Sequence, residues 1–99
     1  MTEQQKEQRR IAYYRSHGMC AVCGKPLSLG QPQYAHKIAN TDTNRKKYGS
    51  FVIDHTLNGD YTCSLECNQV MNIGNNPGKC LLLIADIVTY ELEHFNRED

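Results

Sequence analysis

The sequence predicts an α+β fold, in which a core of two short strands and one helix is flanked by an N-terminal and a C-terminal helix. Three features predict it. Two close cysteine pairs enclose the middle of the chain, an alternating segment between them has the period of a strand, and both flanks carry helix-capping residues. The 99 residues have room for one domain, residues 1–99. We divide it into an N-terminal helix (1–18), a core (19–73) and a C-terminal helix (74–99).

The N-terminal helix is predicted from its first residues. Thr2 and Gln5 form a capping box, whose hydroxyl and amide groups satisfy the first free N–H groups of a helix. The helix is expected to end near Ser16 or His17, with Gly18 as the left-handed residue that stops it. Because its apolar residues lie at 11–14, we expect its last turns to pack and its arginines to remain in solvent.

Four cysteines in two close pairs are typical of a structural zinc site. The pairs Cys20-x2-Cys23 and Cys63-x3-Cys67 each direct two sulfurs to one side of a tetrahedron. Disulfides or a redox pair are the alternatives, but a redox pair normally follows a strand, whereas Cys20 follows a predicted helix stop. Cys80 is left over and is predicted to be a buried thiol without a chemical role.

The composition argues against a membrane or secreted protein. Mean hydropathy is −0.63, and no apolar run approaches the roughly 18 residues of a membrane span. The first residues, Met1 to Lys6, are polar and lack the apolar core of a signal peptide. We therefore expect a cytoplasmic, reducing setting, where paired cysteines more often bind metal than form disulfides.

The segment 33–38 alternates as a strand does, which places Tyr34, His36 and Ile38 on one side. Residues 39–50 are predicted to form a polar, basic loop with room for a helical turn. The apolar stretch 51–53 fits either a strand or a helix.

The second strand is predicted from a turn signal. Asn58-Gly59 is a common turn pair, and it leads into a strand at 60–63. Ser64 is then expected to cap a helix that contains Cys67.

The C-terminal helix is predicted over approximately 77–95, with Asn76 as its N-cap and Pro77 as its first residue. Apolar residues recur there at spacings of three and four: Leu81, Ile84, Val88, Leu92 and Phe95. This stripe predicts either a core face or the seam of a homodimer.

Residues 19–73 resemble an HNH endonuclease domain, the zinc-knuckle subtype of the ββα-metal nucleases. Three motifs carry the resemblance: Ala35-His36-Lys37-Ile38, Asp54-His55-x2-Asn58, and Cys63-x3-Cys67-Asn68. The resemblance implies that the chain is a hydrolase that cleaves DNA phosphodiester bonds. It implies His36 as the general base, Asn58 as the residue that orients the imidazole, and Asn68 as a ligand of a catalytic Mg²⁺ or other hard divalent ion. The metal would stabilise the phosphate and the departing oxygen.

This chain departs from the family's pattern at one metal position. The family often has Asp or His directly before the base, and this chain has Ala35. His55 is our first candidate for the missing ligand and Asp54 the second. An imidazole ligand would favour Mn²⁺ or a later transition metal over Mg²⁺. The second cysteine pair also has three intervening residues where two are commoner.

The charge of the chain is divided between its halves. Residues 1–49 carry nine Lys or Arg and three acids, whereas residues 50–99 carry two Lys or Arg and eight acids. This predicts a basic face for a polyanion. For the nuclease that the resemblance implies, the polyanion is duplex DNA, with Arg45, Lys46 and Lys47 and the N-terminal helix contacting phosphates. Incidental segregation of charge is the alternative. The rival functions are a zinc-stabilised DNA- or protein-binding module without catalysis and a regulatory protein that dimerises through its last helix.

Overall fold

The computed structural model describes residues 1–74 and 76–97. In this part of the chain five α-helices and two β-strands follow one another: α1 Glu3–Ser16, β1 Gln33–His36, α2 Asp42–Tyr48, α3 Ser50–Ile53, β2 Gly59–Thr62, α4 Leu65–Met71 and α5 Pro77–Arg97. Short 3₁₀ turns, Leu27–Leu29 and Thr56–Asn58, lie ahead of the two strands. The fold is a small α+β fold, as predicted. No helix among the described residues has both the length and the apolar character needed to cross a membrane.

The two strands form an antiparallel pair in which Gln33 lies opposite Thr62 and His36 opposite Gly59. Both strands differ slightly from the predicted bounds. The first ends at His36, two residues early, and the second begins at Gly59, one residue early. The reason is that residues 37–58 form a long connection, so Asn58-Gly59 does not make a tight hairpin turn. Gly59 has an extended φ of −164° and is itself the first strand residue.

The capping box of α1 is present as predicted. The Thr2 hydroxyl accepts a hydrogen bond from the Gln5 N–H, and the Gln5 side chain accepts one from the Thr2 N–H. The helix end differs from the prediction, since His17 is the first left-handed residue, with φ 54°, and Gly18 follows with φ 77°. Two successive positive φ values turn the chain sharply towards the first cysteine pair.

The prediction that α1 packs by its last turns is confirmed for Ala12 but misses Gln8, one turn earlier. Its buried residues are Gln8 and Ala12 in the middle of the helix. Gln8 Nε2 donates to the carbonyl oxygens of Ile53 (3.0 Å) and His55 (2.9 Å). Arg15 is exposed, as predicted, but its guanidinium also donates to backbone carbonyls that include Gly59 O at 2.9 Å. Helix α1 is therefore anchored to the segment before β2 mainly by polar bonds, which hydropathy does not reveal.

The hydrophobic core lies between α5 and the segments that follow β1. It is formed by six buried residues: Ile38, Val52, Ile53, Cys80, Leu83 and Ile87. Cys80 is thus a buried thiol in the core, as predicted. Helix α5 begins as predicted, because Asn76 Oδ1 accepts a hydrogen bond from the Lys79 N–H at 3.0 Å.

The stripe predicted on α5 is mostly outside this core. Leu81, Val88, Leu92 and Phe95 are exposed, while the helix packs through the neighbouring residues that include Leu83 and Ile87. Sequence periodicity could not decide between them, because both sets recur at spacings of three and four.

Candidate metal centre and candidate active site

The four paired cysteines meet at one point. The Sγ atoms of Cys20, Cys23, Cys63 and Cys67 all lie within 4.8 Å of one another. The Sγ–Sγ distance is 3.4 Å for Cys23 and Cys63 and 3.9 Å for Cys63 and Cys67. Tetrahedral zinc with Zn–S bonds of about 2.3 Å requires sulfurs about 3.8 Å apart. The cluster is therefore arranged to hold a metal ion and is compatible with structural zinc.

The first cysteine pair lies on a tight loop after α1. The loop is closed by hydrogen bonds from the Cys20 N–H to Lys25 O (2.8 Å) and from the Gly24 N–H to Cys20 O (3.0 Å). Gly24 has φ 77°, a left-handed value that favours glycine. The Val22 N–H points at the Cys20 sulfur, 3.4 Å away. This N–H is therefore one of the donors that support the sulfur.

The second pair is held by the start of α4 and by a close backbone contact. The Ser64 hydroxyl accepts a hydrogen bond from the Cys67 N–H at 3.2 Å, so it caps the helix as predicted. Gly30 lies against the other side of this segment, where a Cβ atom would collide with the Cys63 carbonyl oxygen. The close approach of the chain at Gly30 therefore helps to fix where Cys63 lies.

The thiols of the cluster change one another's pKa values. Burial disfavours the Cys20 thiolate, but backbone N–H groups, including those of Cys23 and Val22, outweigh it and lower the pKa of Cys20 to about 6. Hydrogen bonding to the Cys23 side chain, together with burial, raises the pKa of Cys63 to about 12. Neighbouring sulfurs at this spacing cannot all ionise alone. A divalent cation removes that conflict, because it favours the deprotonated form of every ligand.

His36 is half-buried at the end of β1, on the same side of the strand as Tyr34. Their ring centroids are 5.0 Å apart, which confirms the alternation predicted for this strand. Burial and then the positive charge of Arg9 lower the pKa of His36, although the Asp54 carboxylate acts in the opposite direction. The imidazole is therefore neutral near pH 7, which is the form that can accept a proton.

Asn58 does not bond to the His36 imidazole in the structure. Its Oδ1 accepts from the Ile38 N–H at 2.9 Å, and its Nδ2 donates to Ile38 O (3.1 Å) and Ile53 O (2.9 Å). The side chain is fully buried. Asn58 thus secures the backbone two residues after His36.

The three predicted ligands of a second metal contact three different elements. Arg45 of α2 binds both carboxylate oxygens of Asp54, at 2.6 and 3.1 Å, and this hydrogen bonding lowers the pKa of Asp54. Asn68 Nδ2 donates to Gln33 Oε1 at 3.0 Å. Gln33 and His36 lie on opposite sides of β1 by strand alternation.

His55, our first candidate for the second ligand, contacts α5. Its Nδ1 accepts from the Leu57 N–H at 3.1 Å, so its Nε2 carries the proton and donates to Glu91 Oε1 at 2.7 Å. Both ring nitrogens are thus engaged, and the residue is 3 % exposed. Ala35 is fully buried, and its methyl side chain cannot bind a metal.

These donors do not fit a preformed catalytic metal site. Among residues 1–74 and 76–97, the four paired cysteines form the only group of three or more His, Cys, Asp or Glu side chains close enough to hold an ion. In the structure Asp54 is paired with Arg45, and His55 with Glu91.

Two further residues belong to the surroundings of His36. The guanidinium carbon of Arg9 lies 4.8 Å from the centroid of the Tyr34 ring. Arg9 Nε and Tyr34 Oη are buried and have no hydrogen-bond partner among the described residues. The strand pattern indicates the place of Tyr34 beside His36, but Arg9 is distant in sequence and only the docking of α1 brings it there.

The opposite charges of the two halves partly neutralise each other in the fold. Asp60 pairs with Arg15 (2.8 Å) and Lys37 (3.8 Å). The Arg45–Asp54 pair joins the halves as well, at 2.6 Å. The sequence predicts Arg45, Lys46 and Lys47 together as phosphate contacts. In the structure, however, the charge of Arg45 is paired with Asp54. Lys46 and Lys47 are exposed on α2.

Comparison of the chain with protein-family models, with curated proteins and with solved structures finds no match. The function is therefore argued from the geometry of its own residues. The two features that bear on it are the four-cysteine cluster and the His36 surroundings.

Proposed function

We propose that the chain is an HNH-type, metal-dependent endonuclease that hydrolyses phosphodiester bonds in DNA, with His36 as the general base. The observation that carries this proposal is the position of His36. It is a half-buried histidine at the end of a strand, with a lowered pKa and with the cation of Arg9 beside it. A neutral imidazole can take a proton from the attacking water, and nearby positive charge attracts the phosphate that the water attacks.

In this proposal the four-cysteine cluster holds zinc and has a structural role. A closed four-sulfur site has no open position for water or substrate. Two of its four ligands come from the loop after α1, one directly follows β2, and one lies in the first turn of α4. Zinc there would fix the angle between the strand pair and α4, and so the frame in which His36 lies.

Dependence on Mg²⁺ or Mn²⁺ is the part of the proposal that the donor set supports least. The resemblance to HNH nucleases implies such an ion, whereas Asp54 and His55 are engaged with Arg45 and Glu91. The plasmid experiment therefore compares nicking with and without added Mn²⁺.

Duplex DNA is the proposed partner. Lys46 and Lys47 are exposed on α2, and lysines in such positions neutralise backbone phosphates without reading the sequence. Contacts of this kind would position the duplex on the protein.

A second candidate is a zinc-stabilised binding module without catalysis. The fully buried Ala35 and the hydrogen bonds that engage Asp54, His55 and Asn68 favour it. It shares the zinc site and the nucleic-acid surface with the enzyme, and differs in the absence of bond cleavage.

Plasmid nicking distinguishes the two. Purified protein is incubated with supercoiled plasmid, with and without Mn²⁺, and compared with His36→Ala and with the control His94→Ala, which removes an exposed histidine of α5. The enzyme should give relaxed plasmid with Mn²⁺, and only His36→Ala should stop it. Binding of the plasmid without nicking under every metal condition would establish the binding module instead.

A further inference from the structure

Arg9 differs from the other arginines of α1 in having no acidic partner. Arg10 pairs with Glu7 at 2.5 Å and Arg15 pairs with Asp60 at 2.8 Å. Among the described residues no carboxylate lies within ion-pair distance of Arg9, although this side chain is half-buried. A partly desolvated guanidinium without a counter-charge is unusual, because burial of a charge is costly unless an opposite charge compensates.

Arg9 and the tyrosine ring on which it lies each carry a donor that has no acceptor among the described residues. The guanidinium stacks on the Tyr34 ring, and the same ring contacts the His36 imidazole edge-on. Arg9 Nε and the Tyr34 hydroxyl are both buried, and neither has a hydrogen-bond partner among the described residues. Buried donors without acceptors are rare in proteins, and an oxyanion supplies acceptors for both.

We propose that Arg9, together with the Tyr34 hydroxyl, binds the phosphate group on which His36 directs water. The proposal rests on the proposed nuclease function for the identity of the phosphate as a DNA backbone group. Anion binding by Arg9 does not depend on it. The planar fork of arginine matches two phosphate oxygens, which a lysine cannot do.

Two observations support the role of Tyr34 as a donor. Burial, and then the Asp60 carboxylate, raise the pKa of Tyr34 well above its ordinary value, so the hydroxyl keeps its proton at any pH at which the enzyme would work. The ring also occupies space that only Gly59 leaves open on the opposite strand, because a Cβ there would collide with the Tyr34 ring.

The first experiment measures anion binding with zinc retained and no other divalent ion. The His36 imidazole is followed by NMR while inorganic phosphate and then a short DNA duplex are added to wild type, Arg9→Gln and the matched control Arg10→Gln. We expect His36 to shift in wild type and in Arg10→Gln, and duplex affinity to fall about tenfold in Arg9→Gln alone. Equal behaviour of the two glutamine variants would overturn the proposal, and a phosphate shift that high salt removes equally in all three proteins would count against it in the same way.

A second measurement separates binding from a purely structural role. Removal of the Arg9 charge should raise the pKa of His36, since that charge lowers it in the wild type, and Arg9→Lys should leave it low while still weakening duplex binding. Zinc content and thermal unfolding show whether each variant is folded. If Arg9→Gln does not fold, Arg9→Lys carries the test, because it keeps the charge and loses the fork.

Plasmid nicking distinguishes failure of this proposal from failure of the proposed function. If wild type nicks DNA and Arg9→Gln nicks equally fast, the phosphate role of Arg9 is refuted and the nuclease function stands. If wild type never nicks but binds duplex in an Arg9-dependent way, the nuclease function is refuted and the anion site stands.

Helix α5 carries an independent feature, an apolar stripe that the fold leaves uncovered. Leu81, Val88, Leu92 and Phe95 are 68, 52, 59 and 66 % exposed, and Ala85 lies exposed between them. The five residues are separated by alternating steps of four and three, which is the seven-residue repeat of a coiled-coil seam.

We propose that a second copy of the chain covers this stripe through the same residues. A seam with this repeat is complementary to itself, since its side chains fit the holes of an identical helix related by a two-fold axis. The exposed stripe offers roughly 500 Å² on each copy, so a dimer would bury about 1,000 Å², the lower limit for specific interfaces.

Analytical ultracentrifugation of wild type, Val88→Glu and the neighbouring control Thr89→Glu tests this interface. Thr89 is exposed but lies beside the stripe. We expect wild type and Thr89→Glu to dimerise at micromolar concentration and Val88→Glu to remain monomeric. A wild type that stays monomeric at every concentration would refute the second copy as the occupant, and so would a dimer that Val88→Glu does not weaken.

Discussion

Replacement of Asn58 by alanine should destabilise the fold more than any other loss of a single polar side chain near His36. Asn58 is 0 % exposed, and its amide makes hydrogen bonds to Ile38 N, Ile38 O and Ile53 O. Each bond contributes about 1 kcal/mol, and each buried backbone group left unpaired adds to the loss. We therefore expect Asn58→Ala to lower the free energy of unfolding by about 3–5 kcal/mol, a large share of the roughly 5–15 kcal/mol of a small domain.

The assay is urea unfolding of zinc-loaded protein, followed by far-UV circular dichroism. Asn68→Ala is the matched control, because Asn68 is half-buried and its amide donates one hydrogen bond to a side chain, Gln33 Oε1. Its loss should be about 1 kcal/mol or less. In thermal unfolding Asn58→Ala should lower Tm by at least about 10 °C, given about 4–8 °C per kcal/mol at this size.

Asn58→Asp sharpens the test. The aspartate keeps an acceptor for the Ile38 N–H, but it turns a carboxylate oxygen towards the carbonyls of Ile38 and Ile53, where Nδ2 now donates. It should therefore destabilise at least as much as alanine. A loss below about 1 kcal/mol in both variants would refute a structural role for these bonds, and reduced nicking at unchanged stability would restore the role of Asn58 as an orienter of the imidazole.

Three further predictions concern the metal, the base and the nucleic acid. Wild type should carry one zinc per chain. Cys63→Ser should lose both zinc and cooperative unfolding, whereas Cys80→Ser should keep the zinc. Intact folding of Cys63→Ser without metal would contradict this prediction. The nicking rate should fall as pH drops through the pKa of His36, because a protonated imidazole accepts no proton. Burial lowers that pKa, so the midpoint should lie below about 6.5, and a midpoint above this value would count against His36 as the base. Lys46→Ala combined with Lys47→Ala should reduce the slope of log affinity against log salt by about two, and an unchanged slope would show that α2 does not contact DNA.

Local signals located most of the elements. The capping box at Thr2 and Gln5, the Ser64 cap and the Asn76-Pro77 start each depend on a few neighbouring residues, and all three occur in the structure. Each of these capping bonds joins residues within one turn of the helix, so it forms in any tertiary arrangement that leaves the start of the helix accessible to those side chains.

Signals that require a distant partner were the ones that the sequence left undecided. Asn58-Gly59 has the composition of a tight turn, but its use depends on where β1 ends and on which backbone groups need the Asn58 amide. Likewise His55 fits the description of a metal ligand until Glu91 is found 2.7 Å from its Nε2. Neither partner lies within the range of a local pattern.

The sequence by itself determined the α+β class, the capped starts of three helices and the cysteine cluster. The spacing of the two thiols within each pair limits the directions in which their sulfurs can point. In a small domain, two such pairs commonly meet at one metal site. Tertiary structure alone decided which charges are free. The docking of α1 through Gln8 brings Arg9 over Tyr34, where no carboxylate of the described residues pairs with it, and places Arg15 beside Asp60. Electrostatic roles are set by distances of a few ångströms between residues far apart in the chain, and only the folded backbone fixes those distances.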